Sequence, residues 1–182
     1  MTAKKTKAAL KVADKKSMVE FIVDGKIVTA KAGRNLLDVL TEQGFAIPHL
    51  CYHPRLKPEG RCRMCVVEIE GARTLVTSCT ATVREGMKVK TNSKRVIDSR
   101  KITLELLLSH HNISCMVCPS NLTCKLQGYA QQLNLDGIRF DAEKTAEWLD
   151  KTNPSVIRDN SKCILCGRCV QVCNDIQTVN AI

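Results

Sequence analysis

Eleven cysteines and four histidines stand in this chain of 182 residues, and the cysteines fall into three spaced groups. The first is Cys51-x10-Cys62-x2-Cys65-x13-Cys79, the second is His111-x3-Cys115-x2-Cys118-x5-Cys124, and the third is Cys163-x2-Cys166-x2-Cys169-x3-Cys173. The groups take four, three and four cysteines, so all 11 are used. A Cys-x2-Cys pair lets two thiolates converge on one metal centre, and flanking cysteines complete a set of four ligands. Four-cysteine zinc sites usually present two close pairs, whereas the first group has one, which favours a 2Fe-2S cluster on Cys51, Cys62, Cys65 and Cys79. Gly60 is expected to let the backbone approach inorganic sulfide. Arg61 and Arg63 either offset the cluster's negative charge or are simply solvated.

The second group is one ligand short, and His111 completes it, with the adjacent His110 as the second choice. His49 and His53 flank Cys51 and read as loop residues. Imidazole in place of thiolate makes a cluster less negative, which raises its reduction potential. The third group is the run of bacterial 4Fe-4S ferredoxins, in which the fourth cysteine serves the other cluster of a pair. No second run follows before Ile182. Three readings of Cys173 stay open: the chain is the front of a longer polypeptide, which is favoured, or Cys173 is used locally, or another subunit supplies a ligand. A disulfide framework needs no such ordering, and zinc does not account for the third run.

These loops need elements to hold them. Met18 to Asp24 and Lys26 to Ala30 are β-rich runs joined at Asp24-Gly25, a hairpin signal. Asn35 caps a short helix carrying Leu36, Leu37, Val39 and Leu40, and Gly44 marks its end. Val66 to Ile69, Thr74 to Thr77 and Met87 to Thr91 complete a mixed sheet. Ser93 caps a long helix, Lys94 to His110, with an apolar stripe of Val96, Ile97, Leu104, Leu107 and Leu108. A second helix is expected over Asn121 to Leu133, with Leu122, Leu126, Tyr129 and Leu133 on one side. The predicted divisions are a flexible basic tail (1–17), a 2Fe-2S ferredoxin domain (18–92), a helical domain with one histidine and three cysteines for a 4Fe-4S cluster (93–136), a connector around Trp148 (137–154) and a 4Fe-4S ferredoxin-type segment (155–182). The fold class is α+β.

Composition narrows the function. The net charge is +10, but six lysines and one aspartate lie in Met1 to Ser17, and bound clusters would remove further positive charge. Aromatic residues make up 3%, too few for the stacking surfaces of nucleic-acid binding. No apolar stretch approaches a membrane span, and no apolar h-region follows the lysines, so a cytoplasmic location is expected, where reduced thiols bind metal.

Three stretches, IPHLCYHPRLKPEGRCRMCVVEIEGARTLVTSC (Ile47 to Cys79), HNISCMVCPSNLTCKLQ and RDNSKCILCGRCVQVC, resemble in order the iron-sulfur arm of NAD(P)H-linked complexes. Its members are the large peripheral iron-sulfur subunit of respiratory complex I, the diaphorase iron-sulfur subunit of NAD-reducing hydrogenases and the N-terminal region of multisubunit iron-only hydrogenases. The resemblance implies a β-grasp domain around the 2Fe-2S cluster, a 4Fe-4S cluster with one histidine ligand on the His111 set, and the start of a ferredoxin-like domain at Cys163. It also implies a third cluster completed outside this chain if Cys173 serves another centre. Cys173 makes the chain hydrogenase-like, while no cysteine-rich domain for hydrogen chemistry is present in this sequence. No Gly-x-Gly-x-x-Gly or phosphate loop appears, so no catalytic residue is assigned. The expected role is relay of single electrons between a flavin-containing NAD(P)H-oxidising subunit and a hydrogenase, ferredoxin or similar acceptor in a hetero-oligomeric complex. The alternatives are the front part of a complete iron-only hydrogenase subunit and, more distantly, a non-redox scaffold stapled by clusters.

Overall fold

Val19, Phe21 and Val23 alternate with exposed neighbours, so one face of the first strand is apolar and must be covered. In the computed structural model, which describes residues 18–144 and 148–181, that strand, β1 (Met18–Val23), pairs antiparallel with β2 (Lys26–Lys31). Asp24 and Gly25 both take positive φ, +48° and +83°, as a two-residue hairpin turn of this twist demands. The basic tail 1–17 and part of the connector, 145–147, lie outside the described residues.

Helix α1 (Leu36–Glu42) starts where Asn35 Oδ1 accepts the amides of Leu37 and Asp38, and it buries Leu36, Leu37, Val39 and Leu40 with the inner face of the sheet. Strands β3 (Val66–Ile69), β4 (Val76–Thr77) and β5 (Lys88–Lys90) complete a sheet of order β2-β1-β5-β3-β4. Only β1 and β5 run parallel; the other three pairings are antiparallel, so the sheet is mixed, as the sequence implies.

Helix α2 (Lys94–His110) begins at Ser93, whose Oγ accepts the Val96 amide. Its buried face differs from the expected apolar stripe. Val96, Arg100 and Leu104 point inward at a spacing of four, joined by Glu105 and Ser109, while Ile97, Leu107 and Leu108 are half-buried. Helix α3 (Lys125–Gln132) starts four residues later than the predicted Asn121. Turns closed by Asn121 N to Cys118 O and Thr123 N to Ser120 O occupy that stretch. Leu122 consequently sits outside the helix, 89% exposed and at φ +67°. A hairpin spans the predicted boundary between connector and ferredoxin-type segment, with β6 (Leu149–Asn153) before it and β7 (Val156–Asp159) after it, and the Asn153 side chain accepts the Ser155 amide around Pro154. A short helix α4 (Arg168–Gln171) and a π-turn (Val172–Ile176) close the described fold, which is mixed α/β.

Two apolar cores result. One lies between the sheet and α1 and includes Cys65 and Cys79. The other, around Leu50, Met64, Leu104 and Leu126, includes Cys51 and Cys62 and touches Cys124 and Cys166.

Candidate iron-sulfur sites

The first cysteine set sits on the seam between the two cores. Cys51, Cys62, Cys65 and Cys79 are all buried and all free thiols. The start of α1 holds the Cys79 turn: Asn35 Nδ2 donates to Cys79 O at 2.5 Å, Leu37 N to Ser78 O, and Leu36 N to Ala81 O. Cys65 is fixed from the other side, its carbonyl accepting both the amide and the hydroxyl of Ser78. Amides aim at sulfur: Leu50 N and Cys51 N donate to Cys62 Sγ at 3.4 and 3.5 Å, and Cys62 N donates to Cys51 Sγ at 3.5 Å. Such N–H donors stabilise thiolate and, with it, a bound metal centre.

The four thiols fall into two hydrogen-bonded pairs, Cys51 with Cys62 and Cys65 with Cys79. Hydrogen bonding from Cys51, aided by backbone amides, lowers Cys62 to about 5, and Cys79 lowers Cys65 to about 7; the paired sulfur and burial push Cys51 and Cys79 up. Buried thiols that share protons and attract amides fit a centre needing four thiolates.

Gly60, at φ +65°, has a different neighbour from the one expected of it. A Cβ there would lie 3.2 Å from Thr77 Oγ1, so the glycine lets the cysteine loop cross the Thr77–Thr80 turn. Arg61 pairs with Glu59 and lays its guanidinium over Gly167 in the third cysteine loop, while Arg63 is exposed. Glu59 also accepts from Gln171, whose Nε2 donates to Lys57 O at 3.0 Å. The first and third loops are therefore docked on each other.

The second set surrounds a cavity of ~170 Å³ lined by His111, Cys115, Cys118 and Cys124. Cys124 caps α3 and His111 ends α2, so the two helices bring the set together. His111 Nδ1 is buried without a hydrogen-bond partner, an arrangement that fits a nitrogen facing a metal centre. His110 instead is exposed and has its Nδ1 3.1 Å from Glu143 O. Burial holds the His111 imidazole below its ordinary pKa, and Lys162 and Lys144 push it the same way. Lys162 lines the cavity and donates to Ser114 Oγ; Lys144 Nζ donates to the carbonyls of Ser109 and His111.

The third set is more open. Cys166, Cys169 and Cys173 line a cleft of ~780 Å³ together with His53 and Leu56, whereas Cys163 is not part of that lining. Cys163 follows a 3-10 turn (Asn160–Lys162), its Sγ accepts from Leu165 N, and Ala181 N donates to Cys173 Sγ at 3.1 Å. His53, which reads in sequence as a loop residue, thus borders the third cleft. Tyr129 reads there only as a helix-face residue, yet its hydroxyl donates to His49 O and accepts from His49 N, tying α3 to the loop before Cys51.

Three family models match in the same order as the cysteine groups. They are a 2Fe-2S iron-sulfur cluster binding domain over residues 16–94, the NADH-ubiquinone oxidoreductase-G iron-sulfur binding region over 100–139, and a 4Fe-4S binding domain over 156–173. A chain of the NAD+-reducing NiFe-hydrogenase, solved in its H2-reduced state, superposes with a TM-score of 0.81 at 30% identity, covering 90% of this chain and 68% of that one. The chain belongs to the iron-sulfur subunit family of NAD(P)-linked hydrogenases and complex I. Within that family it is 38% identical over 174 residues to the NADP-reducing hydrogenase subunit HndD of Solidesulfovibrio fructosivorans, covering 91% of this chain and 29% of the relative. It is 37% identical over 160 residues to the mitochondrial NADH-ubiquinone oxidoreductase 78 kDa subunit of Candida albicans, covering 87% of this chain and 22% of that one. The chain thus spans between 22% and 29% of the length of these two curated relatives. No helix among the described residues is long and apolar enough to cross a membrane.

Proposed function

We propose that this chain is an electron relay, passing single electrons through iron-sulfur clusters between a flavin-containing NAD(P)H-oxidising subunit and a hydrogenase, ferredoxin or similar acceptor. The observation that carries this reading is the shared apolar core: Cys51 and Cys62 of the first set, Cys124 of the second and Cys166 of the third all border the cluster around Met64, Leu104 and Leu126. Redox centres bordering one packed core are held at fixed separations, and the protein's task is to fix their spacing and potentials.

In this reading Cys51, Cys62, Cys65 and Cys79 hold a 2Fe-2S cluster in a β-grasp domain (18–92). His111, Cys115, Cys118 and Cys124 hold a 4Fe-4S cluster in a helical domain (93–136). Cys163, Cys166 and Cys169 hold a further 4Fe-4S cluster in the segment 155–182, with Cys173 serving that cluster or another one. The cluster supplies the electron-accepting iron; the chain supplies buried ligands, N–H donors to sulfur, and lysines beside the second site. The working unit is a hetero-oligomeric complex in the cytoplasm. Low-temperature EPR of the anaerobically reconstituted chain during stepwise reduction tests the proposal. It should resolve reversible 2Fe-2S and 4Fe-4S signals, with Cys118→Ser removing only the signal of the second set. Clusters that cannot be reversibly reduced would refute a relay.

A further inference from the structure

Arg100 is the only buried cation among the described residues, at 3% exposure on the inner face of α2. One terminal nitrogen donates to Val66 O at 2.8 Å, and Nε has no hydrogen-bond partner. No carboxylate of the described residues forms an ion pair with it. Burial lowers its pKa to about 10, and the groups that act against this are the Cys65 thiolate and the Asp24 carboxylate. The guanidinium still carries its full positive charge at neutral pH. Asp24 is itself engaged, accepting the Thr91 amide at 2.8 Å and the Thr91 hydroxyl at 2.5 Å.

A desolvated charge with no counter-ion is strongly unfavourable, so an arginine in this position calls for a compensating anion. The residue whose carbonyl it grips follows directly on Cys65. A 2Fe-2S centre on four thiolates is a net anion and becomes more negative by one charge when it accepts an electron.

We propose that Arg100 is the internal counter-charge of the first iron-sulfur site, a positioning residue whose fixed positive charge beside Cys65 favours the reduced cluster and raises its reduction potential. The proposal rests on the reading that Cys51, Cys62, Cys65 and Cys79 hold a 2Fe-2S cluster. Reduction adds one electron, taken in a titration from dithionite, and moves no proton on or off the guanidinium. The competing role is mechanical, a brace between α2 and β3 that needs the hydrogen bond to Val66 O but not the charge.

Potentiometric titration followed by EPR, on the reconstituted full chain, separates the two. Arg100→Gln should retain the 2Fe-2S signal and lose about tenfold or more in the equilibrium constant for its reduction, ~59 mV for one electron. Arg100→Lys should stay near the parent value, and the second cluster's potential should not move in either variant. Equal potentials in Arg100→Gln and the parent, or an equal fall in Arg100→Lys and Arg100→Gln, would overturn the proposal. Should Arg100→Gln fail to hold its cluster, Arg100→Lys decides, because both side chains can donate to Val66 O and only lysine keeps the charge. A lysine variant that holds the cluster at the parent potential supports the role of the charge, and one that loses the cluster with Arg100→Gln overturns it. A parent chain that incorporates iron and sulfide but shows no 2Fe-2S signal would sink the site reading itself, independently of the variants.

Discussion

His111 and His110 are neighbours in sequence with opposite environments. The first lines the cysteine cavity with an orphaned Nδ1, and the second faces out toward Glu143 O. His111→Cys should therefore preserve the second cluster and lower its potential, because thiolate adds negative charge, while His110→Ala should leave both unchanged. Redox-titrated EPR reads the difference, and an unchanged or higher potential in His111→Cys would count against His111 as ligand. Gly167 offers a second residue-scale test. It sits at φ +73°, and a Cβ would come within 2.5 Å of the Arg61 guanidinium. Gly167→Ala should destabilise the third loop by about 1–3 kcal/mol, read as reduced iron occupancy of that segment. Adding Arg61→Ala should recover part of the loss, since it removes the clash but not the backbone strain. The three cysteine groups are legible from sequence because residue type and spacing define them. Arg100, Lys162 and Gln171 are not, because each acquires its meaning from a partner distant in sequence; for Arg100 the one available signal is its spacing of four from Val96 and from Leu104.

Helix α2 grips β3 through Arg100, which donates to Val66 O, and supplies Leu104 to the second core. Leu104 is fully buried in the cluster that touches Cys51, Cys62, Cys124 and Cys166, so Leu104→Ala should cost about 2–5 kcal/mol and weaken cluster retention at more than one site. Thermal melting with iron analysis would show this, and loss confined to a single site would argue against a common core. The next residue, Glu105, takes a bidentate grip from Arg139, whose hydrogen bonds hold the carboxyl below its ordinary pKa. A depressed carboxylate contributes stability above the unfolded value near pH 4, and that contribution disappears as pH falls through the lower folded value. Melting points of the parent and Glu105→Gln should differ at neutral pH and converge below about pH 4. The elements are legible where a cap and a period coincide, as at Asn35 and Ser93. The start of α3 is misplaced in the sequence reading because Leu122 keeps helical spacing with Leu126, although turns in the cysteine loop have already claimed it.

At the scale of the molecule, three cysteine sets that lie far apart in sequence are drawn together by contacts among their loops. Arg61 covers Gly167, Gln171 holds Lys57, Lys162 reaches Ser114, and Tyr129 grips His49. These contacts join the first site to the third, the third to the second and the second to the first, so the sites form a closed arrangement rather than beads on a string. The measurement that tests the central claim most directly is anaerobic counting of iron and acid-labile sulfide on the purified chain, with zinc assayed alongside. A relay predicts iron and sulfide in equal amounts, about six per chain from the first two sets and about ten when the third set also closes. Zinc in place of iron, iron without matching sulfide, or fewer than about six of each would contradict it.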